Sequence, residues 1–275
     1  MNLRSLAWRT DLIFPAFDGV IVDRGRYLVV RTPSNPTFYW GNFLLFDRPP
    51  AAGDEELWPR LFAEEIGHAP QVRHQTFGWD SPEGDPGAAQ AFVARGFRLD
   101  QSSVLTASSV VPPAHLAKDI FVRRLESDDD WRQATENQVR GRDEGLNEAD
   151  FRRFKEAHME RYRRMARAGH GDWFGAFLDG ALVADLGIYH AGNLGRFQTV
   201  VTHPDYRRRG YAGSLVYHAA RHALGPAGLK TLVLVADADS SAERLYRSLG
   251  FLPAERGIAL ERPSEAASSV PESPS

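Results

Sequence analysis

Cysteine is absent from the 275 residues. That excludes disulfides, a thiolate nucleophile and a cysteine-ligated zinc. No apolar run approaches the length of a membrane helix, and the stretch from Met1 to Thr10 lacks the apolar core of a secretory signal. Neither sign of charge dominates. Lys and Arg number 33 against 36 Asp and Glu, a net charge of −3, which argues against a general nucleic-acid binder. These absences leave a cytoplasmic globular protein without a membrane or nucleic-acid partner as the expectation. Hydrophobic content of 43% is that of a folded chain, and the length leans toward two domains.

What is present is organised around Gln198 to Leu224. The β-branched run Thr199-Val200-Val201-Thr202 is strand chemistry, and Pro204 stops it. Arg207-Arg208-Arg209-Gly210-Tyr211-Ala212-Gly213 follows, ahead of Ser214 and a helix. The helix has Leu215, Val216, Ala219, Ala220, Ala223 and Leu224 recurring at three- and four-residue steps. A helix N-terminus presents unpaired N–H groups and a partial positive charge. Gly210 and Gly213 let the backbone approach an anion closely, and the arginines add fixed charge. Strand, glycine-bearing cationic loop and helix start together read as a polyphosphate site.

Arg207-x-x-Gly210-x-Ala212 resembles the Q/R-x-x-G-x-G/A pyrophosphate loop of the GNAT N-acetyltransferase family. A second block, Leu232 to Ala236 and then Asp239 to Phe251, is similar to that family's N-x-x-A-x-x-L-Y-x-x-x-G-F segment, with Asp239 where asparagine is more usual. The resemblance covers roughly Ile120 to Arg262. It implies an α/β (α+β) GNAT fold with a mixed, mostly antiparallel sheet flanked by helices. It also implies direct transfer of acetyl from acetyl-CoA to a primary amine, here expected on a small molecule. By the same resemblance, the backbone of Val200, Val201 and Thr202 splays from its neighbour and pairs with the pantetheine arm. One amide there, assigned to Val201, polarises the thioester carbonyl. Arg207 to Ser214 hold the pyrophosphate, Asp239 caps the next helix and touches pantetheine, and Tyr246 protonates the departing thiolate; read without the family, Tyr246 is an ordinary half-buried helix tyrosine. The family's strand glutamate is missing, since that region reads Arg196-Phe197-Gln198-Thr199. Asp185, Glu144 and His190 remain as candidates for a base or an amine-binding group. The rival expectation is a non-catalytic acyl-CoA-binding sensor or scaffold. A monomer or a homodimer is equally compatible with the sequence.

The segment 1–113 carries its own elements. Gly19 to Val22 and Arg26 to Arg31 read as strands about an Asp23-Arg24-Gly25 turn, Phe38 to Phe46 as an aromatic strand, and Asp54 to Ile66 as a helix. Ala88 to Phe97 aligns with Ala242 to Phe251, which places Phe92 where Tyr246 falls. This half therefore resembles a second, degenerate GNAT unit, the alternative being an unrelated α/β cap. Its loop Asp47 to Glu56 carries two prolines and several carboxylates, so acetyl-CoA binding is not expected there, and its role is structural or to wall the acceptor cleft. Pro112-Pro113 reads as a linker, 118–262 as the catalytic domain and 263–275 as a disordered tail.

In the second half Asp128, Asp129 and Asp130 are candidate caps for a helix through Val139. A helix from Glu148 to Ala168 carries Arg152, Arg153, Lys155, Arg161, Arg163, Arg164 and Arg167 on one face. That face is expected to be solvated, or to attract an anionic acceptor or the cofactor's outer phosphate. Asp179-Gly180 marks a hairpin. His218 and His222 have metal-ligand spacing, but the H-E-x-x-H glutamate is missing, so no metal is expected.

Overall fold

A computed structural model describes residues 1–69, 71–142 and 147–263. The chain divides into two compact units at Val104/Leu105 and again at Ala254/Glu255. The first unit contains helices α1 (Leu6–Asp11) and α2 (Ile13–Asp18) and strands β1 (Val20–Asp23), β2 (Tyr27–Arg31) and β3 (Phe43–Phe46). Helix α3 (Asp54–Glu65), strand β4 (Gln75–Trp79), helix α4 (Ala89–Val93) and strand β5 (Arg98–Ala107) follow, β5 running on into the second unit. The second unit holds β6 (Phe121–Arg124), α5 (Asp128–Arg140), α6 (Glu148–Arg167), β7 (Gly171–Leu178), β8 (Ala181–Ala191) and β9 (Leu194–Thr202). It continues with α7 (Tyr211–Leu224), β10 (Thr231–Asp237), α8 (Ser241–Ser248) and the start of β11 (Leu252–Arg262).

Both units repeat one plan. After a helix pair, three strands pair antiparallel in succession, β1–β2–β3 in one unit and β7–β8–β9 in the other. A helix then crosses over to a parallel neighbour, β4 on β3 and β10 on β9. β6 extends the second unit's sheet antiparallel to β7. The last strand does not stay with the second unit as the expected 118–262 boundary had it. From Glu255 onward it lies with the first unit, where Ala259 to Arg262 pair antiparallel with Gly78 to Gln75.

Local chemistry accounts for much of this. Asp179 and Gly180 take φ of 49° and 84° between β7 and β8, the double left-handed turn that suits a hairpin's twist. Helix α5 is capped by Ser127, which receives the Asp130 amide while the Asp130 side chain answers the cap, so the cap is the serine and not one of the three aspartates. Ser240 likewise caps α8 in place of Asp239. The aromatic run from Phe38 is not one strand. Tyr39–Gly41 is a 3-10 turn, held by Asn42, whose Nδ2 donates to Asn35 O (3.1 Å) and Phe38 O (2.9 Å) while its Oδ1 accepts from Thr32 N (3.0 Å). Side-chain bonds to backbone outweigh β propensity there.

His74 packs beneath that turn, stacked on Tyr39 at 4.1 Å and 3.0 Å from Asn42 O. Burial lowers its pKa to about 4 from an ordinary 6.5. The unfolded chain therefore takes up this proton near pH 6.5 and the folded chain only near pH 4, so the histidine withdraws stability as pH falls through that window. Below the window the loss amounts to about 3 kcal/mol. Denaturant unfolding of His74→Gln is expected to lose less stability than the parent chain between pH 7 and pH 4.

Candidate active site

The site belongs to the second unit and begins where two strands part. The parallel ladder between β9 and β10 runs from Leu194↔Thr231 to Arg196↔Val233, while β9 continues to Thr202 and β10 to Asp237. On its other side β9 stays paired to β8, but the register shifts by one residue between Asp185↔Val201 and Gly187↔Gln198. Thr199 sits at this bulge with φ of 31°. For a β-branched residue such a conformation costs roughly 1–3 kcal/mol and needs outside support.

The direction of the β9 amides follows from pairing. His203 N donates to Val183 O at 2.9 Å, so the alternation of an antiparallel strand turns the Val201 amide toward β8 and the Thr202 amide away from it. Consistently, Thr202 O, on the side away from β8, accepts from Arg207 Nε at 3.4 Å. The amide expected at Val201 to face the thioester thus faces the sheet. Thr202 and, two residues back, Val200 present theirs to the gap.

Beyond Thr202 come a 3-10 turn at Pro204–Tyr206 and the arginine loop. Arg207, Arg208 and Arg209 are exposed. Arg208 has φ of 62°, and Gly210 enters α7 at φ of 80° as its N-cap, with no side-chain capping bond. The first intrahelical amide is that of Ser214, which donates to Gly210 O at 3.1 Å, so the amides of Gly210 to Gly213 have no intrahelical acceptor. The side chains of Tyr211 and Ser214 are already engaged. The Tyr211 hydroxyl donates to Asp119 Oδ2 (2.6 Å), and Ser214 Oγ donates to Gly210 O (3.0 Å) and accepts from Ala117 N (2.9 Å). Any ligand at these residues meets their backbone. Pro113, at the end of the expected Pro112-Pro113 linker, and the residues after it to Asp119 pack over the start of α7. A Cβ on Gly213 would lie 3.5 Å from Pro113, and one on Gly210 3.1 Å from His115 O. Ala212 is half-buried between them.

Helix α8 contributes Tyr246, buried at 4% exposure in the core that includes Phe197, Leu215 and Leu234. Its hydroxyl makes no hydrogen bond to the described residues, and burial raises the phenol well above the ordinary tyrosine range. Asp239 precedes the α8 cap at φ of 60°, its amide donating to Glu243 Oε2 at 2.8 Å.

The three acceptor-side candidates separate. Glu144 lies outside the described residues. His190 pairs with Gly195 at the far end of β8, about 16 Å of strand from Asp185. Asp185 is fully enclosed. It accepts from Asn137 Nδ2 (2.6 Å), Gln138 Nε2 (2.6 Å) and Trp173 Nε1 (2.9 Å). Burial raises its pKa to about 7 against those donors and the nearby Lys155 charge. Asn137 and Gln138 carried no sequence signal beyond being adjacent polar residues in an amphipathic helix. The α6 face is also only partly solvated. Lys155 and Arg161 are buried, Lys155 Nζ lying 5.5 Å from the rings of Phe151 and Phe154, whereas Arg152 and Arg163 pair with Glu136 and Asp128. His218 is exposed, and His222 Nε2 stands 3.8 Å from Asp172.

The first unit's equivalent loop differs where it matters. Gly53 enters α3 at φ of 93° without a side-chain cap, as Gly210 enters α7. There, however, Asp54 Oδ2 accepts from Ala51 N (2.7 Å) and Arg48 Nη1 (2.6 Å), and Glu55 Oε2 accepts from Gly53 N (2.8 Å). The chain's own carboxylates occupy amides that an anion would need. Phe92, opposite Tyr246 in the repeat, is packed among Trp58, Phe77 and Phe97.

Here a bulged strand parts from its parallel neighbour beside an uncapped helix start. Residues 138–251 match the acetyltransferase (GNAT) family model, so the chain carries a GNAT acetyltransferase domain, a fold of acyl transfer. Among solved structures, a GCN5-related N-acetyltransferase from Kribbella flavida aligns over 96% of this chain and 98% of its own at a TM-score of 0.67 and 15% identity. A conserved protein of unknown function from Staphylococcus epidermidis aligns over 90% and 95% at 0.66 and 12% identity. A tandem GNAT protein from the clavulanic acid biosynthesis pathway aligns over 96% and 89% at 0.57 and 13% identity. At these identities the likeness is one of fold. No curated protein matches the sequence. Among the described residues no helix is long and apolar enough to cross a membrane.

Proposed function

We propose that this protein transfers acetyl from acetyl-CoA directly to a primary amine of a small-molecule acceptor, with the second unit carrying the chemistry. The observation that carries the reading is the parting of β9 from β10 beside the uncapped start of α7. In this reading the free edge of β9 at Val200 and Thr202 pairs with the pantetheine amides, and one of these N–H groups polarises the thioester carbonyl. The amides of Gly210 to Gly213, with Arg207, Arg208 and Arg209, hold the pyrophosphate. The amine nitrogen attacks the carbonyl carbon, the C–S bond breaks, and Tyr246 gives its proton to the leaving thiolate. In the same reading Asp239, just before the α8 cap, touches the pantetheine. Asp185 is not free to take the amine's proton, because three donors already engage its oxygens. A water serves instead: it takes the proton that the amine nitrogen loses on acylation and returns one to Tyr246, which restores the phenol. The first unit does not take acetyl-CoA, since Asp54 and Glu55 fill its loop. The enzyme works in the cytoplasm as a monomer or homodimer and needs no metal.

The test is release of free CoA thiol from acetyl-CoA across a panel of primary amines. The reading requires release that depends on the amine added. Saturable binding without release for any amine would favour the acyl-CoA-binding sensor, the alternative supported by the missing carboxylate at Arg196 to Thr199.

A further inference from the structure

Asp185 does more in the fold than fill space. The two side-chain amides that donate to its carboxylate also reach β9: Gln138 Nε2 donates to Thr199 O at 3.1 Å and Asn137 Nδ2 to Val201 O at 3.4 Å. Each amide therefore forks, one N–H to the carboxylate and one to a carbonyl flanking Val200. Lys155 Nζ donates to Gln138 Oε1 at 3.4 Å, which sets the end of that amide that faces Asp185. Trp173 Nε1 closes the cluster from β7 at 2.9 Å.

The peptide plane carries the consequence. In a trans peptide the carbonyl and the following N–H point in opposite directions. Holding Thr199 O against Gln138 aims the Val200 N–H the other way, and holding Val201 O against Asn137 does the same for Thr202. These are the two amides that face the gap between β9 and β10. For Thr202 the β8 pairing gives the same direction, but for Val200 the sheet alone does not impose it, because the β10 ladder has ended at Val233 and the β8 register slips between Val201 and Gln198. Thr199 at φ of 31° needs such outside support.

We infer that Asp185, acting through Asn137 and Gln138, is a positioning residue for the transfer reaction, one that holds the β9 bulge so that backbone amides point at the thioester carbonyl. The inference rests on the acetyl-CoA reading above.

The test is isotope-edited infrared spectroscopy of acetyl-CoA labelled at the acetyl carbonyl carbon, bound to the full chain, with calorimetric titration of CoA alongside. In the parent chain the bound carbonyl stretch is expected below its frequency in free acetyl-CoA. Asp185→Asn opposes an amide donor to the Asn137 or Gln138 donors and is expected to lose most of that shift, while binding CoA within about threefold of the parent. Gln138→Leu, which removes one fork and keeps the buried volume, is expected to lose part of it and decides the matter should Asp185→Asn not fold. A carbonyl shift equal to the parent's in a folded variant overturns the positioning role and leaves the acetyl-CoA reading standing. A parent chain that binds no acetyl-CoA overturns that reading, and this inference with it.

Discussion

Titration of acetyl-CoA into a Gly210→Glu variant is expected to give no measurable binding, where the parent chain binds one molecule per chain. The substitution has three effects. Gly210 holds φ of 80°, a conformation that costs a side-chain-bearing residue roughly 1–2 kcal/mol. A Cβ there would lie 3.1 Å from His115 O, tighter than ordinary contact, so the loop must shift. The new carboxylate then stands among the amides proposed to hold the pyrophosphate, a repulsion of about 4 kcal/mol at close range near a protein surface. The strain and the contact lower the variant's stability, while the repulsion alone corresponds to about a thousandfold loss of affinity. Gly53→Glu is the matched control. It carries the same left-handed strain at φ of 93°, with open space around the new Cβ. It is expected to leave binding unchanged, because its loop amides are already held by Asp54 and Glu55. Two sites per parent chain, or a loss of binding in Gly53→Glu, would contradict the assignment of the cofactor to the second unit.

The second large effect is expected from Tyr246→Phe, a loss in kcat of about a hundredfold or more with KM for acetyl-CoA little changed. The substitution deletes the proton that the departing thiolate takes in the proposed reaction and nothing that holds the fold, because the hydroxyl makes no hydrogen bond to the described residues while the ring stays in the core. Thermal unfolding should therefore shift by little. Burial raises the phenol above its ordinary range, so the tyrosine keeps its proton across the working range. The parent rate is thus expected to show no decline from tyrosine ionisation up to about pH 10. A Tyr246→Phe variant with the parent's kcat would show that water protonates the thiolate.

Conformations decided by a residue and its immediate neighbours were legible in the sequence. Gly210 and Gly180 announce left-handed backbone because only their own sterics are at stake. Pro204 ends β9, the Asp179-Gly180 pair turns a hairpin, and the apolar spacing from Leu215 to Leu224 sets the buried side of α7. The loop of 207–213 and the repeat ending in Gly96-Phe97 and Gly250-Phe251 were readable for the same reason. Features made by residues distant in sequence were not. Asn137 meets Asp185 across 48 positions, and the strand alternation that turns Thr202 rather than Val201 toward the gap follows from the register of β8 on β9. The burial of Lys155 and Arg161, the turn at Tyr39–Gly41 and the passage of β11 into the first unit depend likewise on which surfaces meet. By itself the sequence determined the arginine-glycine loop at a helix start, the tyrosine on α8 and the different residues at both places in the first half, because each is a matter of residue identity at a local spacing. Only the tertiary structure decided which backbone amides are offered and what holds them there, because hydrogen-bond direction is set by pairing between strands and by side chains arriving from another helix.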